Sequence, residues 1–179
     1  MNKKLLFIIT IAVFSTNVNC QITKGNWLVS GSLSFSRLQS SSEATLQFKQ
    51  TNFQISPTIG YFLKDKFALG LRPSLSYGSN TIANSSTAFN VGPFARYYFL
   101  NSEKIFNLFC EGSYSYGTIS GGQKLNTYAF NAGPVLYFNS SVGLEFILGY
   151  SVSKVIGFKG NNTAMQAGIG FQFHLERDK

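Results

Sequence analysis

The sequence predicts an all-β chain that forms an eight-stranded antiparallel up-and-down transmembrane β-barrel. Three observations lead to this prediction. The 179 residues are 16% aromatic but only 12% charged, about half the charged fraction of ordinary soluble domains. No run of about 18 apolar residues is present, which argues against transmembrane helices. Segments that alternate between large apolar and small residues recur along the chain, and this period of two is typical of strands.

The first twenty residues have the layout of a cleaved secretory signal. Asn2-Lys3-Lys4 provides a positive start, Leu5 to Phe14 is a short apolar stretch, and Val18-Asn19-Cys20 offers modest residues at the cleavage site. Such an apolar stretch is too short to span a bilayer. We therefore expect residues 1–20 to be removed during export to the bacterial outer membrane, which leaves residues 21–179 as one barrel domain.

The fate of Cys20 has an alternative, because acylation of this cysteine would make the chain a lipoprotein. An acylation site favours an apolar residue three positions earlier, and Asn17 occupies that position. We therefore favour cleavage after Cys20. Cys110 is then the remaining thiol, so no intramolecular disulfide is expected.

The body of the chain contains four similar segments, each with a partner segment beside it. They span residues 53–61, 89–97, 130–138 and 165–173, and their partners span 27–35, 67–77, 106–116 and 142–152. Four segments with one partner each make eight strands. A strand of ten steps at about 3.3 Å, tilted by about 40°, rises roughly 25 Å, which matches the apolar band of membrane barrels.

The two faces of these strands differ in size and polarity. Between Phe67 and Tyr77, the odd-numbered residues are bulky and apolar, whereas the even-numbered ones are Ala, Gly, Arg and Ser. The small face has too few charges to cover a soluble protein, but it can fill a narrow closed barrel. We therefore expect the bulky face to contact lipid, with aromatic girdles at both ends of the strands.

The connections and the prolines complete the predicted topology. We expect tight turns at one end and longer loops at the other, the latter at about residues 37–50, 78–87, 117–126 and 153–162. All four prolines, at positions 57, 73, 93 and 134, fall inside predicted strands. Because a proline removes a ladder hydrogen bond, we interpret these positions as local bulges or bends.

The end of the chain carries a motif of known barrels. Gln166-x-Gly168-x-x-Phe171-x-Phe173 resembles the last-strand signal of the small eight-stranded outer-membrane barrels of the OmpA, OmpX and OmpW kind. The resemblance extends by pattern over residues from about 25 to 173. It implies that the outer-membrane barrel assembly machinery reads these four residues, although six residues follow the final aromatic one.

Four charged residues lie in the predicted strands, and all of them fall on the small, inward face: Arg72, Arg96, Glu111 and Glu145. Isolated buried charges are costly, so we expect these residues to pair, with Arg96 and Glu111 in direct contact on adjacent strands. Leftover donors and acceptors are expected to be satisfied by Gln54, Asn90, Tyr98, Asn107 and Gln166. The cluster is interpreted as a structural plug; the alternative is a narrow channel for ions or small solutes.

Other chemistry has little support in the sequence. A lipid-A-modifying enzyme would need a catalytic histidine, and the sole candidate, His174, is expected to be a solvated residue beyond the last strand. No metal-ligand spacing, phosphate loop or nucleic-acid motif is present, so no cofactor and no nucleic-acid partner are expected.

Basic side chains near the predicted long loops suggest a surface partner. These residues are Arg37, Lys49, Lys124, Lys154 and Lys159, and cations at an outer rim can contact the phosphates of lipopolysaccharide. Scattered solvated charges are the alternative interpretation. The sequence therefore predicts a monomeric, non-enzymatic outer-membrane barrel for envelope integrity and surface interaction, with a narrow channel as the second possibility.

Overall fold

A computed structural model describes residues 22–42, 45–80, 85–102 and 104–175, and the side chains of these residues except 36–42, 45–50 and 80. Eight antiparallel strands, each paired with its neighbours in the chain, form a closed barrel because β8 also pairs with β1. The strands are β1 (Trp27–Ser42), β2 (Thr45–Lys64), β3 (Phe67–Asn80), β4 (Ser86–Tyr98), β5 (Phe106–Ile119), β6 (Lys124–Tyr137), β7 (Val142–Val155) and β8 (Asn162–Leu175). The predicted fold class is confirmed.

Among the described residues, no helix is long and apolar enough to cross a membrane. The proposed signal segment, residues 1–20, lies outside the described residues, so its cleavage stays a prediction.

The two faces of the wall follow the predicted alternation. Leu71 is 57% exposed on the outside of β3, whereas the side chain of its neighbour Arg72, which faces the lumen, is 19% exposed. On β7, Leu148 is 68% exposed and Glu145 only 1%. Every large apolar side chain that is exposed on a described strand belongs to the outward phase. The outside of the barrel is therefore apolar over its whole circumference.

Aromatic rings mark both ends of this apolar wall. At the end that we call the lower end, Trp27 packs edge-on against Tyr61 with ring centroids 5.2 Å apart. At the upper end, Phe35 lies opposite Phe53, which in turn lies opposite Tyr77. Rings at two levels are the arrangement of interfacial girdles, as the sequence predicts.

The predicted contrast between short turns and long loops is wrong. Strands β1 and β2 remain paired up to Ser42 and Thr45, within the stretch 37–50 that we expected to be a loop. The upper connections shorten to residues 43–44, 81–85, 120–123 and 156–161, while the lower connection between β4 and β5 spans 99–105. The strands extend past the girdle because continued pairing satisfies their backbone groups.

The four prolines interrupt the ladders without bulges. Pro57 and Pro73 lie opposite each other in register, and the partners there step from Ile55–Leu75 to Ile59–Leu71. Between these two pairs, both strands advance by four residues, so the register does not shift. Equivalent gaps lie beside the prolines at 93 and 134. Each proline keeps a partner on its other side, so the missing N–H affects one ladder only.

The core occupies the lower part of the lumen. We call the buried side chains that form this core the floor. They are large and mostly aromatic: Leu28, Phe62, Phe94, Tyr98, Phe109, Val135 and Tyr137. The prediction that the inward face is small and mostly polar therefore holds in the upper half and is wrong in the lower half. Closely packed rings exclude water there.

A short segment before β1 covers the lower end of the barrel. The side chain of Ile22 is 1% exposed and joins the floor cluster. The carbonyl of Ile22 accepts a hydrogen bond from Lys66 N at 2.8 Å, and Gly25 N donates to the carbonyl of Phe62 at 2.9 Å. The floor is thus covered from below by the chain itself.

Candidate functional site

The barrel wall brings the four predicted charges together in the middle of the lumen. Arg72 comes from β3, Arg96 from β4, Glu111 from β5 and Glu145 from β7. Arg96 and Glu111 are direct partners in the antiparallel register of β4 and β5. Since all four side chains belong to the inward phase of a narrow barrel, they meet near its axis.

Arg96 is the centre of this ion cluster. Its Nη2 lies 2.8 Å from Glu111 Oε2, and its Nε donates to the same oxygen at 2.9 Å. Its Nη1 donates to Glu145 Oε2 at 2.8 Å. Arg96 therefore links carboxylates from two strands that are not adjacent, across the lumen.

Arg72 also contacts the carboxylate of Glu111. It forms an ion pair with Glu111, and its Nη2 donates to Oε2 at 2.6 Å. Its Nε donates to Thr58 Oγ1 at 2.9 Å. Two cations thus face two carboxylates, and the formal charges of the cluster cancel.

Neutral side chains complete the coordination of the ion cluster. Tyr98 donates its hydroxyl to Gln172 Oε1 at 2.7 Å, and Gln172 Nε2 donates to the Tyr137 hydroxyl at 2.9 Å. Arg96 Nη1 also reaches Gln172 Oε1 at 3.3 Å, and Asn131 Nδ2 donates to Glu111 Oε1 at 3.0 Å. A buried charge needs such additional hydrogen bonds to compensate for lost hydration.

Only one of the five predicted auxiliary residues, Tyr98, takes this role in the described contacts. Asn107 instead bonds the backbone of Leu100, and Gln54 bonds Ser56. The sequence reasoning missed four residues that contact the cluster or extend its hydrogen-bond network: Thr58, Asn131, Tyr137 and Gln172. The alternation of the strands could have identified them, because they occupy inward-facing positions. Asn131, for example, is the register partner of Glu111.

Aromatic rings flank the guanidinium groups from the floor. Arg96 Cζ lies 4.4 Å from the centroid of Phe109, and Arg72 Cζ lies 5.4 Å from that of Phe94. Cation–π attraction within about 6 Å favours these positions. The ion cluster and the floor therefore form one continuous packed layer.

His174 is not the solvated terminal residue that the sequence led us to expect. It lies within β8 and is 1% exposed. Its ring stacks on Phe62 at 5.5 Å between centroids and contacts the rings of Tyr98 and Tyr137 edge-on. The last strand ends one residue after His174. His174 is therefore at an inward-facing position of β8, and its imidazole lies in the floor.

Above the ion cluster the lumen contains a cavity of about 220 Å³, which we call the vestibule. Its wall carries eight serines and one threonine together with amide side chains, and Arg72, Arg96 and Glu111 lie at its base. A cavity of this size is large enough to hold several water molecules. Hydroxyl groups can donate and accept, so the vestibule suits uncharged polar groups.

No protein-family model matches the chain, and no curated protein matches it either. Solved structures do. The outer membrane protein OprG from Pseudomonas aeruginosa aligns with a TM-score of 0.56 at 13% identity, over 87% of this chain and 98% of its own. Neisserial surface protein A (NspA) aligns with a TM-score of 0.56 at 17% identity, over 84% of this chain and 97% of its own. The chain has the fold of a small outer-membrane β-barrel. At these identities the likeness concerns the fold alone.

The motif at the end of the barrel sequence lies on β8 with its two halves on opposite faces. Phe171 and Phe173 point outward and are 51% and 44% exposed. Gln166 and Gly168 belong to the inward phase, and Gln166 lines the vestibule. The alternating motif thus supplies both faces of the closing strand.

The basic residues of the barrel rim lie at its upper end. Lys124 begins β6, Lys154 lies near the end of β7 and Lys159 lies in the following connection; all three are exposed. Arg37 on β1 and Lys49 on β2 lie close together in the pairing of these strands, where Arg37 is opposite Thr51 and Lys49 is opposite Gln39. Their side chains are not among those described. Within the described residues, no group of three His, Cys, Asp or Glu side chains is placed to hold a metal ion.

Proposed function

We propose that this protein is a non-enzymatic outer-membrane barrel whose lumen is plugged by its own side chains and whose role is envelope integrity and surface interaction. One observation carries the proposal. The neutral ion cluster fills the middle of the lumen, with Arg96, Glu111 and Glu145 at most 1% exposed, and the floor closes the space below it.

The energetics favour a plug over a mobile ion gate. Removing one partner of a buried ion pair costs about 3–5 kcal/mol, because a charge is left without compensation. Arg96 contacts both carboxylates, so its displacement would leave Glu145 without a cation and Glu111 with Arg72 alone. A conducting state would also need the packed rings of the floor to separate.

Single-channel recording in planar bilayers tests the proposal. We expect the purified wild-type barrel to be silent, and a variant that empties the middle of the lumen, Arg96→Ala with Phe109→Ala, to pass small ions if it folds. Steady conductance of the wild type would contradict the plug and favour the alternative, a narrow channel. Heat-modifiable gel mobility checks that each sample is folded.

The environment of His174 supports the non-enzymatic part of the proposal. Its ring contacts are Phe62, Tyr98 and Tyr137, all in the floor. A catalytic base needs a path by which its substrate can reach it, and a ring that is 1% exposed within the packed floor offers no such path. Mass spectrometry of lipid A from cells with and without the protein tests this part, and altered acyl chains would contradict it.

Surface interaction is proposed to involve the phosphates of lipopolysaccharide. The supporting feature is the exposed cationic rim of Lys124, Lys154 and Lys159, with Arg37 and Lys49 nearby in the register. We expect the triple change of the three lysines to Gln to weaken binding of lipopolysaccharide severalfold, with a reduced salt dependence. The matched control changes the exposed lower-end lysines 24, 64 and 104 to Gln. Equal affinities of the two triple variants would contradict the proposal.

A further inference from the structure

The wall of the vestibule contains a glycine between two amide side chains. Gly149 on β7 is the register partner of Asn131 on β6 and of Gln166 on β8, and both amides line the vestibule. A Cβ at position 149 would overlap Asn131 Oδ1 and would lie 2.9 Å from Gln166 Cγ and 3.1 Å from Gln166 Nε2. The missing side chain therefore lets the two amide groups approach each other. We call Asn131 and Gln166 the amide pair.

The ion cluster determines the orientation of the Asn131 amide. Its Nδ2 donates to Glu111 Oε1 at 3.0 Å, and a flipped amide would place two acceptors against each other. Asn131 Oδ1 is therefore held on the other side, beside Gly149. This oxygen is buried and accepts no hydrogen bond from a described residue. A buried acceptor of this kind is normally satisfied by a donor from water or from a ligand.

Gln166 places a donor beside this acceptor. Its Nε2 lies at the same glycine, but it does not donate to Asn131 Oδ1, which has no hydrogen-bond partner. The amide pair thus presents one acceptor and one donor, side by side and not bonded to each other. Two hydroxyl groups on neighbouring carbons match this arrangement, because one can donate while the other accepts.

The remainder of the vestibule offers further partners for hydroxyl groups. Ser113 and Ser151 lie on its wall. The Arg72 side chain at its base is 19% exposed, whereas the other three members of the ion cluster are at most 1% exposed. Each terminal nitrogen of Arg72 carries an N–H beyond the one directed at Glu111. A hydroxyl-rich ligand would therefore find donors and acceptors on several sides.

Charge and size narrow the class of ligand. The formal charges of the ion cluster cancel, so an ionic ligand would lose hydration without gaining a free counter-ion. The vestibule, at about 220 Å³, is smaller than the roughly 300–1,000 Å³ of sites for drug-sized ligands. It is suited to a molecule of about one sugar ring. Ser151 and Ser153, above the amide pair on β7, are half-buried, so solvent reaches the wall at this level.

We propose that the vestibule is a binding site for a small uncharged polyol of about the size of one sugar ring. Two hydroxyl groups on neighbouring carbons bind the amide pair: one donates to Asn131 Oδ1, and the other accepts from Gln166 Nε2. The remaining hydroxyl groups bind the serines and the outer N–H groups of Arg72. The site binds the polyol and does not conduct it, since the floor closes the lumen below. The inference goes beyond the plugged scaffold, because a silent barrel can have or lack this site.

Titration with myo-inositol, an uncharged ring that carries a hydroxyl on every carbon, tests the site. The full barrel is held in nanodiscs of phosphatidylcholine, which avoids detergents with sugar heads. NMR follows the side-chain amide signals of Asn131 and Gln166. We expect both to shift and to saturate with a Kd of about 1 mM, since each hydrogen bond to the protein replaces one to water. Shifts that never saturate would mean that water alone fills the vestibule and would overturn the proposal.

Two isomeric ligands test the role of neighbouring hydroxyl groups. In 1,2,3-cyclohexanetriol the hydroxyls are on neighbouring carbons, whereas in 1,3,5-cyclohexanetriol they are on alternate carbons. We expect the first isomer to bind about tenfold more tightly, because the second leaves one member of the amide pair without a partner. Equal affinity for the two isomers would contradict the proposed contacts.

A charged analogue tests the preference for an uncharged ligand. Myo-inositol 1-phosphate has the same ring with an anionic group. We expect it to bind about tenfold more weakly than myo-inositol, because its desolvated charge finds no free cation. Equal or tighter binding would identify the vestibule as an anion site and would overturn the proposal.

A glycine substitution tests the geometry of the amide pair. The atoms that a Cβ at position 149 would meet belong to side chains, so we expect Gly149→Ala to fold with the two amides displaced. Its affinity for 1,2,3-cyclohexanetriol should be about tenfold weaker. The matched control is Gly112→Ala on β5, where a Cβ has no neighbour within 4 Å, and it should bind like the wild type. Equal affinities of the two variants would count against the proposal.

Removal of the donor gives a second test that does not depend on Gly149→Ala. Gln166→Met keeps the length of the side chain, and we expect it to bind the two triol isomers alike. Gln123→Met, in the exposed upper connection before β6, is the control and should keep the preference of the wild type. Heat-modifiable gel mobility checks that each variant is folded. A folded Gln166→Met barrel that still prefers the 1,2,3 isomer would overturn the proposal.

Discussion

The lower and upper halves of the lumen are enclosed by the same eight strands but have opposite contents. The lower half holds stacked rings and a neutral ion cluster, with Arg96 and Glu111 at most 1% exposed. The upper half holds the hydroxyl-lined vestibule, and β1 and β8 are not paired there above Leu33 and Ile169. The comparison teaches that strand alternation determines which residues face inward, while their size decides whether a level of the barrel is structural or free to hold a ligand.

The largest expected effect comes from breaking the ion cluster. Arg96→Met leaves Glu111 and Glu145 with Arg72 as the one remaining cation of the cluster, and we expect a loss of about 3–5 kcal/mol in the free energy of unfolding. Urea titration of the barrel in lipid vesicles measures it. The double change Arg96→Met with Glu145→Gln should recover part of the loss. An unfolding midpoint equal to that of the wild type would mean that the lower half does not depend on this cluster.

The part of β8 that is not paired with β1 should be recognisable by hydrogen exchange. Amides of β8 between residues 162 and 168 that face β1 lack a ladder partner, whereas those between 169 and 175 are paired with β1. We expect the upper group to exchange about thirtyfold faster, which corresponds to about 2 kcal/mol in opening free energy. Amides of β4 at the same two heights serve as the control. Uniform protection along β8 would contradict the difference between the halves.

A smaller effect is expected when one hydroxyl of the floor is removed. Tyr137→Phe takes the acceptor from Gln172 Nε2, and a buried donor without its partner costs about 1–3 kcal/mol. The same urea titration measures the loss. Tyr128→Phe, on the exposed outer face of β6, is the matched control and should leave the midpoint unchanged. If both variants behave alike, the hydrogen-bond chain beneath Arg96 contributes little.

The smallest effects are expected in the vestibule. Ser74→Ala and Ser115→Ala remove single hydroxyls from a wall with free space beside it, so we expect less than about 0.5 kcal/mol for each. Losses comparable with that of Tyr137→Phe would show that the upper half is also part of the packed structure. The serines of this half would then be needed for stability rather than for space.

Much of the fold was predictable because polarity and size alternate together in most strands. The residues on either side of Arg72 and of Glu145 are bulky and apolar, and they face outward. The alternation of the strand therefore predicts that both charges face the lumen. The same reasoning did not find the floor. In β4, Phe94 and Tyr98 are as large and apolar as the outward residues, so alternation carries no signal there. The proximity of Phe94 to the other floor residues depends on the closed barrel.

The remaining errors concern features that depend on how far strands pair. His174 was expected beyond the last strand, but β8 continues to Leu175 and turns the ring inward. The long loops were expected where hairpins in fact continue to pair. The end of pairing between β1 and β8 has no local sequence signal, since β1 pairs over different lengths with β2 and with β8. Pairing lengths are a property of the whole sheet.

The ladder interruptions beside the prolines have a mechanical consequence. They fall in three alternate ladders, β2–β3, β4–β5 and β6–β7, and Thr58 and Arg72 stand next to two of the prolines. Fewer hydrogen bonds resist lateral stretching of the wall at this height. The ionic contacts of Arg72 and Arg96 with Glu111, and of Arg96 with Glu145, cross the interior there. Membrane tension that widens the barrel would therefore be resisted at this height by the salt bridges as well as by the remaining ladder hydrogen bonds.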